Sequence, residues 1–198
     1  MSRKLKTIFN KLFSYFGPQR WWPADSSFEV IVGAILAQNT SWLNVEKAIS
    51  KLKTRGLLAP QCLYRLSLSQ LAGVIKSAGY YNVKAARLKE FVKFFLAHYA
   101  GSIKKMSREE LTPLRKQLLA VKGIGPETAD SILLYALNKP IFVIDAYTKR
   151  IFSRHGLIKE EAGYTQAQGI FMRNLKPDVK LFNEYHALFV AVGKAYCR

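Results

Sequence analysis

The sequence predicts an all-α protein, and three observations support this prediction. Apolar residues recur at helical spacing through nearly the whole chain. The single strand-like run, residues 141–144, is four residues long and cannot support a sheet, so we interpret it as a buried connector. Short joints marked by Gly, Pro and Ser separate the helical segments, which is typical of compact helical proteins. We therefore expect one domain, or two lobes without a flexible hinge.

In the first half of the chain, the pattern predicts four helices. Each has an apolar stripe at helical spacing and a recognisable start or stop residue. Ser26 or Ser27 caps the first helix, and the second ends at Gly56. The third runs from Ser67 to Gly79 and the fourth from Asn82 to Gly101.

In the second half, four more helices are expected from the same signals. Ser107 and Glu110 have the spacing of a capping box, and Pro126 suits a first helical turn. Asp145 begins a helix that stops at Gly156, and a last apolar stripe runs over residues 181–192.

Composition and charge exclude several classes of protein. The 198 residues are 49% hydrophobic, which is enough for a folded core. The formal net charge of +18 predicts attraction to nucleic acid or to an anionic membrane surface. The two cysteines, Cys62 and Cys197, exclude a disulfide-stapled secreted domain. With no apolar run of membrane-spanning length and no signal peptide, we expect a soluble intracellular protein that contacts nucleic acid.

The sharpest local feature is a Gly-Ile-Gly turn between two predicted helices. Gly123 and Gly125 permit positive φ and a close approach of backbone N–H groups to a ligand, while Ile124 can anchor the turn in the core. The following helix begins at Pro126 and adds its free N–H donors, and Lys122 adds positive charge. This predicts an anion site suited to a phosphodiester; a plain helix–helix turn is the alternative.

Asp145 follows the buried connector and begins a predicted helix. One interpretation is a simple N-cap, for which Asp is a favoured residue. The helix terminus would also keep the carboxylate ionised, which suits a reaction that passes through a sugar cation. The two roles are compatible.

The stretch from Leu118 to Phe152 resembles the helix-hairpin-helix (HhH-GPD) DNA glycosylases, and is most similar to their endonuclease III-like branch. The resemblance extends to residues 36–40 (Leu-Ala-Gln-Asn-Thr) and 79–85 (Gly-Tyr-Tyr-Asn-Val-Lys-Ala), and covers roughly residues 25–197. It implies a two-lobed helical fold with double-stranded DNA across the cleft. One lobe would be a helical barrel, residues 25–138, with the hairpin at about 111–138. The other would join residues 1–24 to residues 139–198.

By this resemblance, Gln38 enters the duplex beside Asn39, and Tyr80 and Tyr81 form a loop that wedges DNA. The hairpin would grip DNA through the turn and the first turn of the helix after it. Alternatively, Gln38 and Asn39 are polar residues at a helix end, and the tyrosines pack between helices. The predicted DNA-binding residues are Gln38, Asn39, Tyr80, Tyr81, Lys122, Gly123, Ile124, Gly125 and Thr128.

One position departs from the relatives that also cut the DNA strand. Those enzymes carry a nucleophilic Lys two residues after the second hairpin glycine, where this chain has Glu127. A carboxylate cannot form the Schiff base that strand cleavage requires. The resemblance therefore implies a monofunctional enzyme of base excision repair. Asp145 would be its catalytic residue, stabilising the oxocarbenium ion and orienting or deprotonating the water.

The three tryptophans predict which base is removed. Trp21 and Trp22 precede Pro23, and Trp42 follows the Gln-Asn-Thr segment. Tryptophan faces stack on flipped bases and favour cationic rings, such as 3-methyladenine. The arrangement resembles the endonuclease III-like 3-methyladenine glycosylases, which also have Glu after the hairpin. We therefore expect a base pocket formed by Trp21, Trp22, Pro23, Trp42 and Glu127; packing of Trp21 and Trp22 against the core is the alternative.

The C-terminal segment resembles the one that leads to the first of four cysteines holding a [4Fe-4S] cluster in many relatives. Here Cys197 is the penultimate residue, and Cys62 matches no cluster position. One thiolate cannot hold a cubane, so we predict no cofactor and no metal in these 198 residues. A cluster would require that the natural chain continue beyond this sequence. His98, His155 and His186 lack metal-ligand spacing.

The overall expectation is a monomeric DNA glycosylase that is cytoplasmic, nucleoid-associated and independent of membranes. Two alternatives are a glycosylase/lyase acting on oxidised pyrimidines and a non-catalytic DNA-binding module. A membrane-surface protein is a weaker alternative, because the chain lacks a strong basic amphipathic tail.

Overall fold

The structure, a computed structural model, describes residues 1–197 and divides into two compact units. The central unit is residues 24–137, and the terminal unit joins residues 1–23 to the chain from residue 138 onward. The sequence-based division placed these boundaries at 24/25 and 138/139. Helices account for the regular structure, and residues 1–197 contain no strand, which confirms the all-α prediction.

The central unit contains eight α-helices around an apolar core. Buried residues from successive helices, such as Ile35, Leu88 and Phe95, form this core. A 3-10 turn, Lys76–Ala78, precedes the longest helix of the unit, and a π-helical turn, Ile132–Ala136, ends the unit. The helices are α2 (Ser27–Leu36), α3 (Trp42–Thr54), α4 (Pro60–Arg65), α5 (Leu68–Val74), α6 (Tyr81–Tyr99), α7 (Ile103–Met106), α8 (Leu111–Ala120) and α9 (Pro126–Ser131).

The terminal unit contains α1 (Ser2–Phe16), α10 (Ala146–Arg154), α11 (Tyr164–Asn174) and α12 (Val179–Tyr196). Its core is aromatic: Phe142 and Phe171 stack with ring centroids 3.7 Å apart, and Tyr185 and Phe189 stack at 4.7 Å. The predicted connector, residues 141–144, is buried in this unit without forming a strand. None of the helices within residues 1–197 combines the length and apolarity needed to cross a bilayer.

Several predicted helix starts are confirmed by side-chain caps. Ser26 accepts a hydrogen bond from the Glu29 N–H, and Ser67 forms a complete capping box with Gln70. The capping box predicted for Ser107 and Glu110 is wrong. The Ser107 hydroxyl donates to the Lys104 carbonyl, because a four-residue helix, α7, precedes it with Ser102 as its cap. Helix α8 then begins after Glu110 with no side-chain cap.

Candidate functional site

The predicted hairpin is present, and its two glycines have different conformations. Gly123 has φ +89°, and a Cβ there would lie 2.3 Å from Cγ of Arg87, so both the backbone and the space require glycine. Gly125 has φ −90° and an open environment, so positive φ is not the reason for glycine there. Ile124 is 5% exposed and anchors the turn, while Lys122 is exposed.

A charge pair fixes the two hairpin helices to each other. The Arg115 guanidinium on α8 donates to both carboxylate oxygens of Asp130 on α9, at 2.6 and 3.0 Å. Asp130 is fully buried, and bidentate Arg–carboxylate pairs of this kind combine strength with fixed geometry. The hairpin is therefore a rigid platform rather than a flexible loop.

Gln38 connects the loop after α2 to this hairpin. Its Nε2 donates to the Gly123 carbonyl at 3.2 Å and to the Thr128 hydroxyl at 2.8 Å, and its Oε1 accepts from Arg87. The structure thus brings together three of the predicted DNA-binding residues. Arg87, which the sequence analysis does not include among the predicted site residues, joins them. Asn39, at the tip of the same loop, is exposed with φ +52°.

The second predicted DNA-contacting loop lies just before α6. Tyr80 is 71% exposed and adopts the left-handed conformation, with φ +44°. Tyr81 is partly buried as the first residue of α6. An exposed aromatic side chain on a fixed turn has the form of a wedge, and Tyr80 presents it more fully than Tyr81.

Asp145 is the N-cap of α10, as one of its two sequence interpretations predicts. Its Oδ1 accepts a hydrogen bond from the Thr148 N–H at 2.7 Å. Its Oδ2 lies 3.6 Å from Nε2 of His186 on α12, and the Asp145 side chain is 14% exposed. The backbone contact holds one carboxylate oxygen, while the other faces the imidazole. The sequence analysis gives His186 no catalytic role, and no local signal links it to Asp145.

The surroundings of Asp145 favour its ionised form. Burial by itself would raise the pKa of this carboxyl, but the charge of His186 and the hydrogen bond from the Thr148 N–H bring the pKa below its usual value. The terminal unit therefore supplies a carboxylate that is charged at neutral pH.

Helix α12 approaches α10 closely near Asp145. A Cβ at Gly193 on α12 would lie 2.1 Å from Cδ1 of Tyr147 on α10.

The predicted base-pocket residues are divided between the two units. In the terminal unit, the Trp21 and Trp22 rings are 4.9 Å apart, and Trp21 lines a pocket of about 400 Å³ with Gln19 and with apolar residues and Lys194 of α12. Pro23 is exposed.

In the central unit, Trp42 begins α3, and its Nε1 donates to Glu46 at 2.5 Å. Glu127 is exposed in the first turn of α9.

The described residues do not fit an iron–sulfur cluster. Cys197 is buried in the terminal unit, where Arg154 donates to its Sγ at 3.1 Å, and Cys62 belongs to the central unit. Within residues 1–197, no three His, Cys, Asp or Glu side chains are grouped so that they could hold a metal. One thiol is insufficient for a cubane, which needs four ligands.

Comparison with known proteins assigns the fold to a family. The model of the HhH-GPD superfamily of base excision DNA repair proteins matches residues 32–177. A protein of Methanocaldococcus jannaschii that is named as a DNA repair glycosylase is 48% identical over 193 residues, covering 96% of this chain and 87% of its own length. Endonuclease III of Thermotoga maritima is 28% identical over 171 residues, covering 86% of this chain and 75% of the relative.

Solved structures agree with this assignment. The H. pylori 3-methyladenine DNA glycosylase MagIII, bound to 1,N6-ethenoadenine, matches with a TM-score of 0.80 and 28% identity, covering 98% of this chain and 95% of that chain. A trapped endonuclease III–DNA intermediate has a TM-score of 0.85 at 18% identity, covering 100% and 88%, and supports the fold alone. The chain therefore belongs to the HhH-GPD superfamily of base excision DNA repair proteins, as an endonuclease III-like DNA glycosylase.

Proposed function

We propose that the chain is a monofunctional DNA glycosylase that removes a flipped alkylated purine, such as 3-methyladenine, by hydrolysis. The observation that carries this proposal is the state of Asp145. It is one carboxylate, fixed at a helix N-terminus and held ionised by His186 and the Thr148 N–H. Glycosidic bond cleavage develops positive charge on the sugar, and a fixed anion stabilises that charge.

The reaction needs one water molecule and no covalent enzyme intermediate. The C1′–N bond breaks, and its electron pair leaves with the base, which becomes neutral if it was a cationic alkylated purine. The water oxygen then bonds to C1′, and its proton passes to the Asp145 carboxylate and on to solvent. Because the cationic base is already a good leaving group, the site needs no strong general acid for it.

Glu127 supports the monofunctional form of the proposal. It lies exposed in the first turn of α9, two residues after Gly125. In the relatives that cut the strand, a lysine at this position forms the Schiff base. A carboxylate cannot supply the amine that this step requires.

The choice of substrate is supported by the aromatic residues and by one relative. Trp21, Trp22 and Trp42 offer ring faces that attract a cationic base. MagIII is named as a 3-methyladenine glycosylase, and it is similar to this chain over nearly the full length of both. Indole faces prefer cationic rings to neutral oxidised pyrimidines, which is why an alkylated purine is the better candidate.

DNA binding would be electrostatic and independent of sequence. The net charge of +18 and the exposed Lys122 beside the hairpin turn favour phosphate contacts. Phosphate contacts release counterions, so we expect the affinity for duplex DNA to fall steeply between about 50 and 200 mM salt.

A base-release assay tests the proposal directly. The purified chain is incubated with duplex DNA that contains 3-methyladenine, and the freed base is separated by chromatography. We expect release by the wild-type chain and its loss in Asp145→Asn. No release from any alkylated purine, or equal release by Asp145→Asn, would contradict the proposal.

Two further measurements separate the alternatives. A glycosylase/lyase becomes covalently attached to substrate DNA when borohydride reduces its Schiff base, whereas Glu127 predicts no adduct. A non-catalytic DNA-binding module would bind duplex DNA and release no base from a panel of alkylated and oxidised lesions.

A further inference from the structure

Lys84 is a buried cation in the central unit. It lies on α6 and is 1% exposed, and within residues 1–197 it forms no ion pair with a carboxylate. Its Nζ donates instead to two backbone carbonyls, that of Leu36 at 2.8 Å and that of Ala78 at 2.6 Å. Burying an ammonium group is costly unless it is hydrogen-bonded, and an apolar side chain of similar size would avoid this cost. The presence of a lysine at this buried position therefore needs an explanation, and the two carbonyls provide it.

Both carbonyls come from the last residue of a helical segment. Leu36 ends α2, directly before the loop with Gln38 and Asn39. Ala78 ends the 3-10 turn, directly before the loop with Tyr80. Terminal carbonyls lack partners within their own helix and carry partial negative charge, so one ammonium group satisfies both helix ends. Lys84 thus joins the starts of the two loops that are predicted to contact DNA.

The same face of α6 also reaches the hairpin. Arg87, three residues after Lys84, donates to Oε1 of Gln38, and its side chain covers Gly123. The two loops are themselves adjacent, because a Cβ at Gly79 would lie 3.8 Å from the Thr40 hydroxyl. Lys84 and Arg87, one helical turn apart, hold three predicted DNA-contacting segments from one helix.

We propose that Lys84 is a positioning residue that fixes the spacing of the 37–41 and 79–81 loops, and that this spacing is needed to extrude a paired damaged base. The inference rests on the proposed function. Lys84 touches no reacting atom; it acts through Gln38, Asn39 and Tyr80. Extrusion requires that an inserted side chain and a wedge act on the same base step, which fixed loops allow.

Lys89 provides a matched control on the same helix. Its Nζ also caps helix-end carbonyls, those of Leu63, Tyr64 and Leu66 at the end of α4. These carbonyls lead into no predicted DNA-contacting loop. Lys84→Met and Lys89→Met therefore remove the same kind of interaction at two places, and only the first should affect base extrusion.

The experiment compares single-turnover release of 3-methyladenine from two duplexes. In one the lesion is paired, and in the other it is an unpaired bulge, where extrusion costs less. We expect Lys84→Met to lose about tenfold or more on the paired lesion and about twofold or less on the bulge. Lys89→Met should stay within about twofold of the wild type on both duplexes.

Equal losses of Lys84→Met on both duplexes, or a loss that Lys89→Met shares, would overturn the inference. If Lys84→Met does not fold, Lys84→Arg decides, because it keeps the charge and can donate to both carbonyls. Retention of the paired-lesion rate by Lys84→Arg supports the inference, and a selective loss on that lesion overturns it. If the wild-type chain releases no base from either duplex, the proposed function itself is contradicted. That outcome is distinct from a failure of the inference about Lys84.

Discussion

The hairpin region of the central unit and the Asp145 region of the terminal unit are each stabilised by their own contacts, and these contacts differ in number. Around the hairpin, Gln38, Arg87 and the buried Arg115–Asp130 pair connect three segments through many hydrogen bonds. Around Asp145, one backbone N–H and one imidazole position a single carboxylate. A DNA-binding surface needs a fixed shape, which redundant contacts provide. The hydrolytic site proposed at Asp145 needs one charge in the correct place, and it has no substitute when that charge is lost.

The largest expected effect is the loss of the Asp145 charge. Asn is also a good N-cap, so Asp145→Asn should keep the fold and reduce single-turnover base release about a thousandfold. The control is Asp178→Asn, which changes the N-cap of α12, where Oδ1 accepts from the Leu181 N–H at 2.8 Å. Release by Asp178→Asn should match the wild type; an equal loss in both variants would mean that Asp145 is only a cap.

The next effect concerns the shape of the hairpin. Gly123→Ala should lower the free energy of unfolding by roughly 1–3 kcal/mol, because it combines a strained φ with a contact against Arg87. Gly125→Ala, with an ordinary φ and open space, should cost about 0.5 kcal/mol. Urea unfolding measures the free energy of unfolding of both variants. Equal losses would show that neither the positive φ nor the contact with Arg87 constrains position 123.

Lys84 should make stability depend on pH. Burial and the charge of Arg87 lower the pKa of Lys84 from 10.5 to about 8. Between these two values the unfolded chain binds more protons than the folded chain, so the free energy of unfolding rises with pH. From about pH 7 to pH 10, the wild type should gain roughly 2 kcal/mol relative to Lys84→Met. A difference that does not change with pH would contradict this assignment.

The smallest effect at neutral pH is expected for His186→Asn. His186 lowers the pKa of Asp145, so its removal should raise that pKa. Because the proposed mechanism requires an ionised carboxylate, the acid limb of the pH–rate profile should move to higher pH. His155→Asn, which changes an exposed histidine, should leave the profile where it was. Identical profiles for His186→Asn and the wild type would show that the imidazole does not tune Asp145.

Much of the fold could be predicted because its signals are local. Ser26, Ser67 and Asp145 cap the helices that follow them, and the connector at 141–144 is buried as expected. The sequence analysis predicts no helix at α1, although its apolar residues, Leu5, Ile8, Phe9, Leu12, Phe13 and Phe16, recur at helical spacing. Its position depends on a distant contact, in which the Tyr185 hydroxyl donates to the Leu5 carbonyl at 2.8 Å. The apolar spacing could have predicted the helix itself, but not the partner in this contact.

The candidate sites follow the same division. The hairpin and Asp145 could be found by motif and spacing, because each lies within one short segment. The bond between Gln38 and Thr128 joins residues 90 positions apart, and His186 reaches Asp145 from another helix. These partners are set by packing, which a single sequence does not display. Lys84 lies within a recognised motif, but its role depends on where two other helices end.

The close approach of α10 and α12 at Gly193 has a consequence for protein engineering. A methyl group at this position would force the helices apart, because Tyr147 already fills the space. The imidazole on α12 and the carboxylate on α10 would then separate, although neither residue had been changed. A substitution that changes neither residue would thus alter the acidity of Asp145, the proposed catalytic carboxylate, so stability-guided redesign should leave this glycine in place.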